Sequence, residues 1–214
     1  MGFELSYGDI GILFFLTLGP LKAILPFARV TRGSEPAFRR AVAWRAVAIA
    51  TAIVLGVAFF GPFILPNWHV SPPAIAITCG IILFYQALRI IMQTPAVLGP
   101  ADRETSPSPP SLAIAVFPLA IPAIVTAPGI AAISVIVVLN RHDLVHEAIV
   151  VTLLLAVMVL NLLTLRNTET LLRHGLAGIL PVVGWVLAVL QASLAVQMVI
   201  YSLRVLEVLH WPAS

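Results

Sequence analysis

Lys22 is the only charged side chain set well inside an apolar run of this 214-residue chain. Hydrocarbon offers an ionisable group no partner, so one at membrane depth is by default a candidate site. Its ammonium could hold a carboxylate, or give up a proton as a solute binds. The plainer alternative is that the long stem lifts the amine to the headgroups, since Phe27 follows only five residues on, about 7 to 8 Å along a helix. A second group of candidates, Pro122, Thr126, Pro128 and Gly129, lies in the run Leu112 to Leu139, LAIAVFPLAIPAIVTAPGIAAISVIVVL. As one helix this uncharged run would be about 42 Å long, against a hydrocarbon core of roughly 30 Å. Each proline removes a backbone donor and clashes with the carbonyl four residues back, so the helix should interrupt between Thr126 and Gly129. Gly19, Pro20 and Pro26 predict a matching interruption near the N-terminus. Broken spans at corresponding places in two halves point to a substrate site near the midplane, because half-helix ends offer N–H and C=O groups to a ligand. Prolines that merely kink packed helices are the alternative, as Pro and Gly are common in membrane helices.

Gln86 and Arg89, three residues apart, share one helical face, with Gln86 a candidate solute contact. Arg89 either guards the cytoplasmic mouth or anchors the end of its span. Asn161, Gln191 and Gln197 must find partners away from lipid and so mark bundle-facing sides, where interhelical hydrogen bonds contribute around 1 kcal/mol. His142 and His146 in RHDLVHE have a spacing that suits zinc on a helix, but no third ligand is fixed. A solvated turn without metal is the expectation there. No nucleophile elbow, phosphate loop, zinc-protease helix or dinucleotide fingerprint occurs, so neither enzymatic activity nor a cofactor is expected. An ion gradient or the solute's own gradient would have to supply any energy.

The elements that must position these residues follow from composition. With 60% hydrophobic and 10% charged residues the chain lies far from the soluble globular range. The class expected is an all-α membrane protein in a lipid bilayer, with the basic excess read as topology and nucleic acid excluded as a partner. Apolar runs place six spans at Ile10 to Phe27, Ala46 to Leu65, Ala74 to Ile91, Leu112 to Leu139, Ala148 to Leu165, and Leu176 to Leu203. Cys79, the single cysteine, excludes an intramolecular disulfide and packs within the third span. The first nine residues carry Glu4 and Asp9 but no Lys or Arg, so the first helix is expected to remain in the mature protein.

Arg29, Arg32, Arg39, Arg40, Arg45, Arg89, Arg103, Arg166 and Arg173 fall on one side of these spans, and Arg141 and Arg204 on the other. Positive residues stay in the cytoplasm, so both termini are expected outside. Trp44, Trp68 and Trp211 near span ends fit an interfacial belt. The connection Gly99 to Ser111, GPADRETSPSPPS, reads as a semi-rigid cytoplasmic linker. It divides the chain into a first three-span half (1–98), the linker (99–111) and a second three-span half (112–214). The halves would enter the membrane from opposite sides, a 3+3 inverted repeat with spans one and four broken.

Phe117 to Ile130, FPLAIPAIVTAPGI, is similar to the proline-rich segment of the MarC family of bacterial integral membrane proteins. That segment usually ends in Gly-Pro-Gly, and here Ala127 replaces the first glycine. Gly80 to Ile91, GIILFYQALRII, matches the family's third span, and Leu194 to Met198, LAVQM, resembles its last. In the first span Gly19 stands where Asn or Asp usually precedes proline, and Lys22 where a small residue is common. Pro20 and Pro26 are one residue further apart than the family pattern. The resemblance implies a six-span bundle in the bacterial inner membrane, and some members are described as transporters of small neutral amino acids. The resulting expectation is a secondary transporter, an exporter being one form, for a small polar solute such as a neutral amino acid. Its site would comprise Gly19, Pro20, Lys22, Gln86, Pro122, Thr126, Pro128 and Gly129, with Arg89 at the mouth. The alternative is a non-transporting subunit of a larger membrane complex, motivated by the lack of any carboxylate deep in a span. Homo-oligomers stay open as well.

Overall fold

The computed structural model describes residues 6–67, 70–92, 112–139, 144–173 and 176–208, and within them every regular element is helical. In chain order these are α1 (Tyr7–Leu18), α2 (Leu21–Val30), α3 (Pro36–Asn67) and α4 (Pro72–Met92). A tight turn (Leu112–Ala115) then runs into a wide-turned helical stretch (Val116–Ile124) and α5 (Ala127–Leu139). The chain continues through α6 (Leu144–Arg166), the short α7 (Thr168–Arg173) and α8 (Leu176–Val205). Among the described residues five stretches are long and apolar enough to cross a bilayer, with Tyr7–Val30 counting as one of them. The pair Ala113–Ile124 and Ala127–Val138, bent by 60° at its join, makes a sixth if taken as one span.

Local chemistry sets the helix ends. The Asp9 carboxylate accepts the Ser6 N–H at 3.1 Å at the start of α1, where a negative charge also suits the helix dipole. Pro36 opens α3 at a position that needs no intrahelical donor. This helix begins ten residues before the apolar run that starts at Ala46. Arg39, Arg40 and Arg45 lower the hydropathy there without interrupting the helix, and at 32 residues, about 48 Å, α3 outgrows the membrane core. Outside that core Arg39 pairs with Glu169 of α7. At the opposite end of the bundle the Tyr7 hydroxyl meets the ring of His146 at 3.1 Å. The linker 99–111, Trp68, Trp211, His142, Arg103 and Arg141 lie outside the described residues.

The first span sits at the centre. Of its apolar window 61% is buried, against 22 to 39% for the other four unbent spans, and Ile10, Leu13 and Phe14 are fully enclosed. It packs on α5 and α6; α3 packs on α5 and α6, and α4 lies along α8. The outer faces carry Phe59, Phe60, Phe63, Tyr85 and Val186, all exposed, as lipid-facing surfaces require. Hydroxyls in the spans close on their own helices. Those of Thr17, Thr152 and Ser202 donate to the carbonyls of Leu13, Ala148 and Met198 at 2.7 to 2.8 Å. The Cys79 thiol donates to the Ala131 carbonyl at 3.2 Å, joining α4 to α5.

The contact of α4 with α8 is close enough to test. A Cβ on Gly80 would stand 2.7 Å from Val199 Cγ2 and 2.9 Å from the Ala195 carbonyl oxygen. Gly80→Ala should therefore push the two helices apart and cost about 1–2 kcal/mol. At about 2–4 °C per kcal/mol for a chain of this size, the thermal midpoint in detergent should fall by several degrees. An unchanged midpoint would show that α8 shifts freely.

Candidate functional site

The first interruption leaves carbonyls that need donors. α1 stops at Leu18, Gly19 is extended (φ −72°, ψ 167°), and Pro20 has no N–H to return to the Leu16 carbonyl. A Cβ on Gly19 would fall on the Phe15 carbonyl oxygen, so the close turn admits only glycine. The two carbonyls at the end of α1 find donors on other spans. The Thr126 hydroxyl donates to the Thr17 carbonyl at 3.0 Å, and the Asn161 side-chain amide donates to the Leu18 carbonyl at 2.8 Å. That same Asn161 nitrogen donates to the Val157 carbonyl of its own helix at 3.0 Å.

In the second interruption prolines again dictate the backbone. Phe117 and Ile121, each followed by proline, are extended rather than helical, as the steric demand of the next ring requires. Val125 is extended too, and its N–H donates to the Ala120 carbonyl at 2.8 Å. Thr126 then caps α5, its Oγ1 accepting the Gly129 N–H at 3.1 Å, with Pro128 in the first turn where no donor is needed. One hydroxyl thus accepts from the start of α5 and donates to the end of α1. Gly129 lies directly under Leu18, and a Cβ there would meet Leu18 Cδ2.

Beside this join lies a cavity of about 670 Å³. Its lining includes Gly19, Lys22, Gln86, Arg89, Thr126 and Pro128, together with Gln191 and Gly184 of α8. The rest of the wall is largely apolar, with Phe15, Leu16, Leu21, Ile82 and Leu187. Lys22 Nζ and Gln86 Oε1 are both buried and have no hydrogen-bond partner among the described residues. The chain therefore encloses the lysine amine, which does not lie open on its surface. Pro20 and Gly129 are buried outside the lining, and Pro122 is exposed on the outer face.

The polar residues expected to face the bundle divide. Asn161 and Gln191 are buried, the latter donating to the Leu83 carbonyl at 3.0 Å, whereas Gln197 is exposed. Gln197 is thus a correction: on α8 it lies one residue from the buried Met198, and the buried stripe runs through Ala188, Gln191, Ala195 and Met198. Asn161 emerges as a cap of α1, a role that spacing along the chain could not reveal. Gly184 is a lining residue for which the only signal was a Pro181–Gly184 interruption in the last apolar run. No group of three metal-ligating side chains occurs among the described residues. A second cavity, about 610 Å³, is lined by Arg29, Arg32, Arg39, Arg40 and Arg166, with Glu169. Leu25 lines both cavities.

These features define an integral multi-pass helical membrane protein with a cavity against two interrupted helices. The chain belongs to the MarC family: residues 6–206 match the family described as MarC family integral membrane protein. It is 28% identical over 204 residues to the UPF0056 membrane protein MJ1677 of Methanocaldococcus jannaschii, covering 94% of this chain and 96% of that one. It is 30% identical over 145 residues to the UPF0056 inner membrane protein YhgN of Escherichia coli K12, covering 68% of this chain and 70% of the relative. The family resemblance of the proline-rich segment is borne out. No solved structure matches the chain.

Proposed function

We propose that this protein is a secondary carrier for a small polar solute bearing a carboxylate, a neutral amino acid being the candidate that family resemblance implies. One observation carries the reading: a buried donor, Lys22 Nζ, and a buried acceptor, Gln86 Oε1, line one cavity beside the two breaks without a partner among the described residues. Buried polar groups are normally satisfied, and here a donor and an acceptor that are not face one cavity, whereas the third such atom, Asn161 Oδ1, belongs to the cap of α1. In this reading Lys22 holds the carboxylate, Gln86 accepts an N–H or O–H of the solute, and the backbone ends at Gly19 and Thr126 to Pro128 orient it. Arg89 stands at the mouth, while Pro20, Pro122 and Gly129 shape the breaks without touching solute.

The inverted repeat belongs to the same proposal. It draws support from the pairing of counterpart spans, with α1 on α5, α3 on α6 and α4 on α8. It draws support also from interruptions twelve or thirteen residues into the first and fourth spans. Rocking of the halves would expose the cavity alternately, in the inner membrane with the arginine-rich end cytoplasmic and both termini outside. No bond is made or broken in such a cycle, so the protein would not be an enzyme.

Gly184 gives a direct test. A Cβ there meets nothing within 4 Å and Gly184 lines the cavity, so Gly184→Trp should fold and occupy part of the cavity. Gly56 on the outer face of α3 is equally open, and Gly56→Trp serves as the matched control. Exchange of labelled amino acids and related carboxylates across proteoliposomes holding only this chain should be abolished in the first variant and kept in the second. Exchange by Gly184→Trp at the unmodified rate would remove the cavity from the path, and no exchange of any solute by the unmodified chain would overturn the carrier reading.

A further inference from the structure

We infer that the ligand of the inner cavity carries a net negative charge: a compact monocarboxylate with an aliphatic body and one hydrogen-bond donor, rather than a zwitterion. The inference rests on reading this cavity as the solute site, and it replaces the neutral amino acid of the family resemblance, a zwitterion, with an anion. Lys22 and Arg89 are the basic side chains of the lining, Tyr85 is its phenol, and no Asp or Glu among the described residues lines it. The ammonium of Lys22 is buried without a partner among the described residues. A buried charge is tolerated when an opposite charge and hydrogen bonds complete it, and here the completing anion has to come from the ligand.

A zwitterion brings a carboxylate but also an ammonium, which would lie in the field of two cations with no acidic group to receive it. Gln86 Oε1 can accept one hydrogen bond but supplies no charge. A hydroxyl or amide N–H satisfies that oxygen equally well and brings no repulsion. The apolar wall of Leu16, Leu21 and Ile82 suits an aliphatic chain, and about 670 Å³ lies within the range of small-molecule sites. The surroundings have the same sign. The neighbouring cavity, separated by Leu25, presents five arginines against one glutamate, a field that concentrates anions and repels cations.

The test holds the carbon skeleton fixed and changes only charge. Purified protein in detergent is melted against titrations of 2-hydroxy-4-methylpentanoate (anion), leucine (zwitterion), 2-hydroxy-4-methylpentanamide (uncharged) and leucinamide (cation). The anion should give a saturable rise in melting temperature with an apparent affinity about tenfold or more above that of leucine. The uncharged amide and leucinamide should give none. Lys22→Arg, which keeps the charge, should keep that order. Leucine or the uncharged amide matching the anion would overturn the inference, as would the absence of a saturable shift for all four. Leucine binding best, with flux blocked by Gly184→Trp, would overturn the charge class while leaving the carrier standing. Preferred anion binding without flux of any solute would sustain the charge class and overturn the carrier.

Discussion

Lys22→Met is expected to abolish solute flux in proteoliposomes and at the same time to raise the thermal midpoint of the purified protein. The amine is buried without a partner among the described residues, so the folded state bears its desolvation without return. Methionine keeps the length of the stem and its contacts with the apolar wall, and removes the charge. The expected gain is about 1–3 kcal/mol, and at about 2–4 °C per kcal/mol the midpoint should rise by roughly 3–10 °C. Ligand should reverse the order. Saturating solute stabilises the unmodified protein by about 2.7 kcal/mol at a hundred times Kd and should leave the variant where it was. A lower midpoint for Lys22→Met without ligand would mean that the amine supports the fold, and would remove it from the site.

Thr126→Val should be the most damaging conservative change at the join. Valine matches threonine in shape but takes away both bonds of the hydroxyl, the cap on the Gly129 N–H and the donation to the Thr17 carbonyl. Loss of a cap costs about 0.5–2 kcal/mol, and a buried carbonyl left without a donor about 1–3. Together these predict a loss of roughly 2–4 kcal/mol, seen as a fall of about 5–15 °C in the thermal midpoint. Thr126→Ser, which restores the hydroxyl, should recover most of it. Equal midpoints for the valine and serine variants would show that neither hydrogen bond matters.

Hydropathy along the chain was enough for the class and for the number of apolar runs, because a bilayer imposes length and composition on each span. It was a poor guide to where helices begin. Arg39 and Arg40 look like loop residues by charge, yet they lie on α3 beyond the hydrocarbon, where a helix carries charge at little cost. Pro20 and Pro128 show where a backbone ladder cannot continue, but a missing donor does not say how far the axis turns. Tyr7–Val30 reads on as one span, while the later pair bends by 60°. Gln86, Lys22 and Arg89 stood out as polar groups in apolar sequence, and they line one cavity. Asn161 was legible only as a group needing a partner, since its role as a cap on Leu18 is a contact across 143 residues. Gln197 shows the limit of polarity as a compass, since that amide faces outward from α8.

Beyond the apolar packing of α1 on α5 and α6, the broken end of α1 is held by one hydroxyl, one carboxamide, and Leu18 seated over Gly129. Interhelical hydrogen bonds contribute about 1 kcal/mol each, so the two bonds favour the capped end of α1 over an uncapped one by a factor of about 30 in population, with the helix packing left in place. Reopening of that end alone would belong to the microsecond-to-millisecond scale of helix rearrangements. In the proposed carrier cycle, the frequency of that reopening, rather than the affinity of any ligand, would set the upper limit on turnover.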